Sequence, residues 1–443
     1  MSTTGRPAGG AFGSLPRLDQ FRSIGASRTR RSVLVAGIAF LLLVAVRAIT
    51  HETELTSSGT FGTALRTAVP ILLAGLGALW AERVGVVNIG LEGMMILGTW
   101  FGAWAGWKFG VGWGVLAGMM GGAAGALLHA VATVTFGVNQ IISGVAINTL
   151  GLGVARFLSV VAYSPSSGGG ATQSPNVRGN IPHVSLPILA GAKVFGWQSP
   201  DFFAWVEKKQ WFLVSDVGAL FQGLTRDVSW LTVAALALVP LSYWVLWRTA
   251  VGLRLRSVGE HPLGAETLGV PVYTMKYIGV IVSGMLAGLG GAYLSIDASS
   301  IYREGQTAGR GFIGLAALVF GNWRPGGVAA AAGIFGYPSA LVFRSDEAVH
   351  ALLLFVAIAL GLATVRFLNR LRAEVVVAVT ISAVISSVVA ALFLWWYGVT
   401  STVPREIISF TPHVTTLLVL ALASQRLRPP AADGVPYRKG QAQ

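Results

Sequence analysis

The stretch Gly85-Val86-Val87-Asn88-Ile89-Gly90-Leu91-Glu92-Gly93-Met94-Met95 stands between long apolar runs at 61–81 and 94–107. A carboxylate near the centre of a bilayer costs about 2.5–3.5 kcal/mol on insertion scales, so it faces a cavity, a bundle interior or the interface. Glycines that loosen a helix at such a depth are tolerated only where protein or water re-satisfies the backbone. An amide, a carboxylate and three glycines in this position therefore rule out a bundle of uniform lipid-facing helices. The combination reads as a pathway through a membrane protein.

Composition agrees. Hydrophobic residues make up 53% of the chain and charged residues 11%, where a soluble domain carries about 25% charged residues. There is no cysteine, so no disulfide and no Cys-ligated metal. In a soluble protein the net charge of +14 would suggest nucleic acid as a partner. Here the basic residues cluster at segment ends, where lysine and arginine hold loops on the cytoplasmic side, and no nucleic acid is implied. Glycine, 57 of 443 residues, falls largely inside the apolar runs, where small residues let helix backbones approach in lipid.

Residues 1–31 are polar and arginine-rich and read as a disordered cytoplasmic tail. Apolar segments follow at 32–46, 61–81, 94–108, 111–136 and 140–162, then a polar stretch at 163–228 with an aromatic, interfacial later part. Further segments lie at 229–247, 275–296, 312–321, 328–343, 350–365, 375–396 and 407–422. The expected fold is an all-α integral membrane protein with about 12 transmembrane helices, both termini cytoplasmic and a transmembrane domain at 32–425. That threading leaves the arginines of 248–256, 324, 366–372 and 426–439 inside and the segment 163–228 outside. The stretch 88–98 echoes 311–321. Glycine-interrupted segments at matching places in two halves point to a binding path at a repeat interface.

The cytoplasmic loop 252–270 is more polar than a connector needs. Pro262 suits the first turn of a short helix and Gly269 its end, giving a surface helix that could dock into a partner. The loop resembles the coupling loop of permease subunits in bacterial ABC importers. Together with Glu82-Arg83-Val84-Gly85-Val86-Val87-Asn88-Ile89-Gly90-Leu91-Glu92-Gly93, the likeness narrows to the branched-chain amino acid/simple sugar permease superfamily, and within it to the nucleoside/simple-sugar branch. Supporting stretches are Gly137-Val138-Asn139-Gln140-Ile141-Ile142-Ser143-Gly144, Gly309-Arg310-Gly311-Phe312-Ile313-Gly314-Leu315-Ala316 and Arg426-Leu427-Arg428-Pro429-Pro430 of the tail 426–443. The likeness covers about 60–345 and 405–440. Two departures stand out: His261-Pro262 and Gly264-Ala265 where family members often carry Asn-Pro and Ala-Ala, and an inserted pair of spans at 350–396 beside a core of about ten.

The resemblance implies a multi-pass subunit of a bacterial inner membrane, working with an ATPase, a second permease subunit and an extracellular substrate-binding lipoprotein. It implies a nucleoside or simple sugar as the small-molecule substrate. The chain is then no enzyme: it has no Gly-x-x-x-x-Gly-Lys-Ser/Thr phosphate loop, so ATP and Mg belong to the partner and no cofactor is expected here. The expected ATPase-coupling residues are Gly252, Arg256, Gly259, Glu260, Pro262, Ala265, Glu266 and Gly269. Asn88, Glu92, Asn139, Gln140, Asn148 and Asn322 are the candidates for the substrate path, since amides exchange donor and acceptor contacts with hydroxyls. Glu92 could equally cap a broken helix or pair with Arg83. His129, amid Ala, Leu and Val, reads as a satisfied interior histidine, and the six histidines form no metal motif. The rival class is an ion-coupled secondary transporter, for which Glu92 is the one obvious ion or proton site.

Overall fold

The computed structural model describes residues 18–185, 191, 193–194, 197–371, 377–404 and 427–440. Fifteen α-helices dominate the described residues. They are α1 (Leu18–Thr50), α2 (Ser58–Glu82), α3 (Leu91–Phe109), α4 (Val111–Ala130), α5 (Gln140–Ala162), α6 (Phe202–Lys208), α7 (Val214–Thr225) and α8 (Trp230–Arg248). After these come α9 (Ala250–Glu260), α10 (Pro262–Thr267), α11 (Val272–Ala292), α12 (Arg310–Phe320), α13 (Pro325–Val342), α14 (Asp346–Leu371) and α15 (Val377–Val399). Two short antiparallel pairings, His183–Val184 with Val228–Ser229 and Lys193–Val194 with Trp197–Gln198, lie in the 163–228 segment. Among the described residues, nine helices are long and apolar enough to cross a membrane.

One expected boundary shifts, at the N-terminal end. α1 starts at Leu18, inside the stretch 1–31 read as a tail, because residues 18–31 contain no proline and a helix propagates from an established span at little cost. The run 312–321 becomes α12, 11 residues long, about 16 Å at 1.5 Å per residue and too short for a bilayer core of about 30 Å. The run 407–422 lies outside the described residues.

The chain divides into two compact units, 52–353 with 396–443, and 1–51 with 354–395. In the second, Thr364 and Ser386 join α14 to α15 by a hydroxyl hydrogen bond of 2.8 Å. Val33, Leu34, Val35 and Ile38 of α1 are exposed apolar side chains, as suits a lipid-facing helix.

The larger unit is built around α2 and α11, which run antiparallel: the glycine at 77 abuts Ser283, the one at 290 abuts Pro70, and Gly85 abuts Lys276. The helices on either side repeat with inverted direction. α3 runs alongside α11 (Gly98 against Gly288, Gly102 against Ala292), and α4 returns antiparallel (Gly122 against Gly284, Gly118 against Ala292). α12 packs on α2 through Gly314 against Ala74, and α13 returns with Gly336 against Ala68. Thus α2-α3-α4 and α11-α12-α13 are two copies of one motif pointing opposite ways, as in many transporters. The α3/α4/α11 seam has no side-chain layer: a Cβ on Gly98, Gly122, Gly288 or Gly291 would fall on a neighbouring backbone. That close approach is the contact by which helices associate in lipid.

Candidate transport path and coupling surface

In both motifs the second helix begins inside the bundle. After α2 ends at Glu82, the chain turns at Gly85 (φ 72°) and folds back inward before α3 starts at Leu91. Such a loop carries backbone groups that no helix satisfies, and buried groups of this kind must find partners. Side chains supply them. Gln140 Oε1 accepts from the Val87 amide at 2.6 Å. Asn148 Oδ1 accepts from the Gly93 amide at 2.8 Å while its Nδ2 donates to the Ile89 carbonyl at 3.0 Å. Asn88, fully buried, accepts from the Gly90 amide at 3.1 Å and donates to Ser283 Oγ at 2.8 Å, tying the loop to α11. His129, also fully buried, spans Ser143 Oγ at 2.9 Å and the Val87 carbonyl at 3.2 Å. Asn139 is exposed and caps α5, its Oδ1 accepting from the Ile141 and Ile142 amides.

Glu92 joins the two motifs. Its Oε2 accepts from the Gly311 amide at 2.7 Å and its Oε1 from the Gly309 amide at 2.9 Å. These are free donors at the start of α12, where a negative charge is favoured by the helix dipole. The first turns of α3 and α12 meet head to head. A Cβ on Gly311 would lie 2.6 Å from the Glu92 amide nitrogen. Of the two structural alternatives for Glu92, capping a broken helix is the observed one; Arg83 faces Glu260 instead, at 3.8 Å. Asn322 stands apart, in the α12–α13 turn with φ 50°, its Oδ1 accepting from the Arg428 amide at 2.9 Å. The six path candidates thus do not line one surface. Asn88, Glu92, Gln140 and Asn148 converge on the two re-entrant loops, whereas Asn139 and Asn322 lie in turns.

At the end of the bundle where α2 finishes, α9 and α10 form a helical corner. Gly252 sits against the Val245 carbonyl and Gly259 against the Arg83 carbonyl, with no room for a Cβ at either. Arg256 Nε donates to the Leu246 carbonyl at 2.8 Å, and its guanidinium lies 5.6 Å from the Trp247 ring. Pro262 opens α10, Ala265 is buried beneath it, and Gly269 (φ 79°) ends the corner after Leu268, which is 84% exposed. His261 caps α10 through Nδ1, accepting from the Gly264 amide at 2.8 Å. A Cβ on residue 264 would lie 2.8 Å from that nitrogen. The departures His261 and Gly264 are therefore one change: the imidazole does the capping work of an asparagine and needs the space that a glycine leaves.

Sequence reasoning missed what the tail residues contact. Residues 427–440 lie against this corner. Ala432 donates to the Gly259 carbonyl at 2.9 Å and Ala431 to Glu260 Oε2 at 3.2 Å. Tyr437, 7% exposed, packs on Tyr273 with ring centroids 5.4 Å apart. Asp433 points to Glu82 and Lys276, and burial pushes its carboxyl up to about 6, with the Glu82 hydrogen bond and the Lys276 charge opposing. Burial likewise lowers the Arg83 guanidinium from its ordinary value, with Glu260 opposing. The available signal was Asp433 itself, the single acidic residue of 426–443.

The match to known proteins follows these elements. A family model described as the permease component of branched-chain amino acid transport systems matches residues 60–345, from α2 through α13. A guanosine ABC transporter permease protein of Bacillus subtilis, NupQ, is 32% identical over 380 residues, covering 84% of this chain and 94% of the relative. A nucleoside ABC transporter permease protein of Lactococcus lactis, NupC, is 29% identical with the same coverage. A putative glucose ABC transporter permease protein of Haloferax volcanii, TsgC13, is 33% identical over 67% of this chain and 80% of its own length. No solved structure matches. With the family's region spanning both inverted motifs and the corner between them, the chain belongs to the branched-chain amino acid transport system permease family, a family of multi-pass membrane proteins.

Proposed function

We propose that this chain is the membrane subunit of an ABC importer that carries a nucleoside across a bacterial inner membrane, driven by a partner ATPase. The observation that carries the reading is the α9–α10 corner, which presents Leu268 outward from the end of the bundle where the loop before α3 is anchored. ATPase closure would move that corner, and the corner abuts the Arg83–Gly85 turn that leads into α3. The nucleoside preference rests on the names of NupQ and NupC, which span nearly this whole chain; the third relative keeps a sugar in view.

Charge supports the orientation. Arg83, Arg256, Arg324, Arg428, Arg438 and Lys439 lie toward the corner's end of the larger unit, and such a cluster supports reading that end as the cytoplasmic one. A second permease subunit and an extracellular binding lipoprotein complete the machine. Asn88, Gln140, Asn148 and Glu92 then act by fixing the shape of the path walls. The ion-coupled alternative is disfavoured because both oxygens of Glu92 are already taken by backbone amides.

Co-purification of the tagged chain from its native membrane in mild detergent tests the proposal. An ATPase, a second permease and a lipoprotein that binds a nucleoside are expected. A chain recovered alone, with uptake that collapses when the proton gradient is dissipated but ATP is kept, would overturn it.

A further inference from the structure

The tail segment 427–440 contacts four separate parts of the larger unit within 14 residues of chain. Arg428 donates to Asn322 in the α12–α13 turn. Ala431 and Ala432 donate to Glu260 and Gly259 at the end of α9. Lys276 Nζ of α11 donates to the Gly85 carbonyl at 3.2 Å. Ala432 O lies 2.9 Å from where a Cβ on Gly85 would stand. Tyr437 closes the set on Tyr273 at the start of α11. Leu268 and Leu253 are exposed apolar side chains of the corner.

We propose that residues 427–440 are a positioning strap of the coupling machinery, binding the α9–α10 corner to the turns that precede α3 and follow α12. The inference rests on the importer reading and deepens it. The geometry gives the reason. The corner reaches α3 through its own contact at Gly259 against Arg83 and the α12–α13 turn through Arg83, which faces Glu260 and donates to the Trp323 carbonyl; the strap adds a second tie, from Gly259 and Glu260 to Asn322. A push on α10 that must move both re-entrant helices together is carried to the α12–α13 turn by both ties, and the strap fixes the corner on that turn. Without it, the ATPase can still dock on α10 and turn over, while less of the motion reaches the second motif.

The experiment uses the complete transporter in proteoliposomes with its ATPase and loaded binding protein. Two variants are compared with wild type: a chain ending at residue 426, and the full chain carrying Ala432→Pro with Tyr437→Ala. The reading expects both to co-purify with the ATPase and hydrolyse ATP within about twofold of wild type, while substrate moved per ATP falls at least tenfold. Unchanged transport per ATP overturns the proposal, and so does loss of the ATPase from the complex, which would make the strap a docking or folding element. Independently, Glu260→Cys with Ala431→Cys, in a chain with no other cysteine, should cross-link with a short bismaleimide. Absence of the cross-link refutes the strap contact itself. A wild-type chain that binds no ATPase refutes the importer reading, and the cysteine pair then still reports on the strap.

Discussion

Replacing Glu92 by glutamine separates a structural carboxylate from one that reads a ligand. The side chain is 8% exposed and accepts two backbone amides, from Gly309 at 2.9 Å and Gly311 at 2.7 Å. Hydrogen bonds to a charged acceptor contribute about 1.5–3 kcal/mol each. Glutamine keeps one acceptor oxygen and turns an NH2 group toward the other amide, so one bond is lost. The negative charge at the head of α12 is lost as well, worth about 0.3–1 kcal/mol. Together Glu92→Gln should cost about 2–4 kcal/mol, and Glu92→Leu more, since it strands both amides. The assay is equilibrium unfolding of the purified chain in mixed micelles titrated with a denaturing detergent, run beside uptake in vesicles. Stability and uptake should fall together and in the order Gln, then Leu. A glutamine variant that unfolds within about 0.5 kcal/mol of wild type, inside the usual additivity error, yet transports nothing would refute the capping argument and return Glu92 to the ligand.

The α10 cap predicts a coupled pair: His261→Ala and Gly264→Ala should each lower the unfolding midpoint by the equivalent of about 1 kcal/mol, the usual value of an N-cap. The double variant His261→Asn with Gly264→Ala should recover most of it, and strictly additive losses would refute the link between the two positions. Strap docking should depend on pH with a definite sign. Docked, Asp433 holds its proton up to about pH 6 against an ordinary 3.8, so docking weakens as pH rises between those values and is fully penalised above them. Amide exchange of 427–440, corrected for intrinsic rates, should be more protected at pH 5 than at pH 7, and Asp433→Asn should flatten the difference. Protection that rises with pH would reverse the assignment.

Much of the fold could be read from the sequence because membrane spans are written in runs of apolar residues long enough to cross, and because Pro262 and Gly269 punctuate the coupling corner. The echo of 88–98 in 311–321 correctly pointed to two related broken helices, although their starts set Leu91 against Arg310 and shift the register from that echo. What the sequence concealed was who pairs with whom. A polar residue inside an apolar run announces an obligation to be satisfied; the sequence offers Asn88, Gln140 and Asn148 as contacts for substrate hydroxyls, whereas the structure turns their amides to the protein itself. That their partners are the backbone of one loop depends on helix packing between segments up to 195 residues apart, as for Asn88 and Ser283, which no local pattern encodes. The strap escaped for the same reason: Ala431, Ala432 and Tyr437 are ordinary residues whose importance lies in what a returning chain end happens to meet.

The central position of α2 also bears on how the protein is made. Its span is 83% buried, yet three of the helices that enclose it, α11, α12 and α13, begin only at Val272, Arg310 and Pro325. At about 5–20 residues per second, ribosomal synthesis leaves α2 waiting on the order of ten seconds or more before those neighbours emerge. Throughout that interval its glycine-rich sides and Glu82 must be sheltered by lipid, by the insertion machinery or by the early helices. The centre of this transporter is therefore among the first parts threaded into the bilayer and among the last to be enclosed, and biogenesis defects should concentrate in variants of α2 that fold well once the chain is complete.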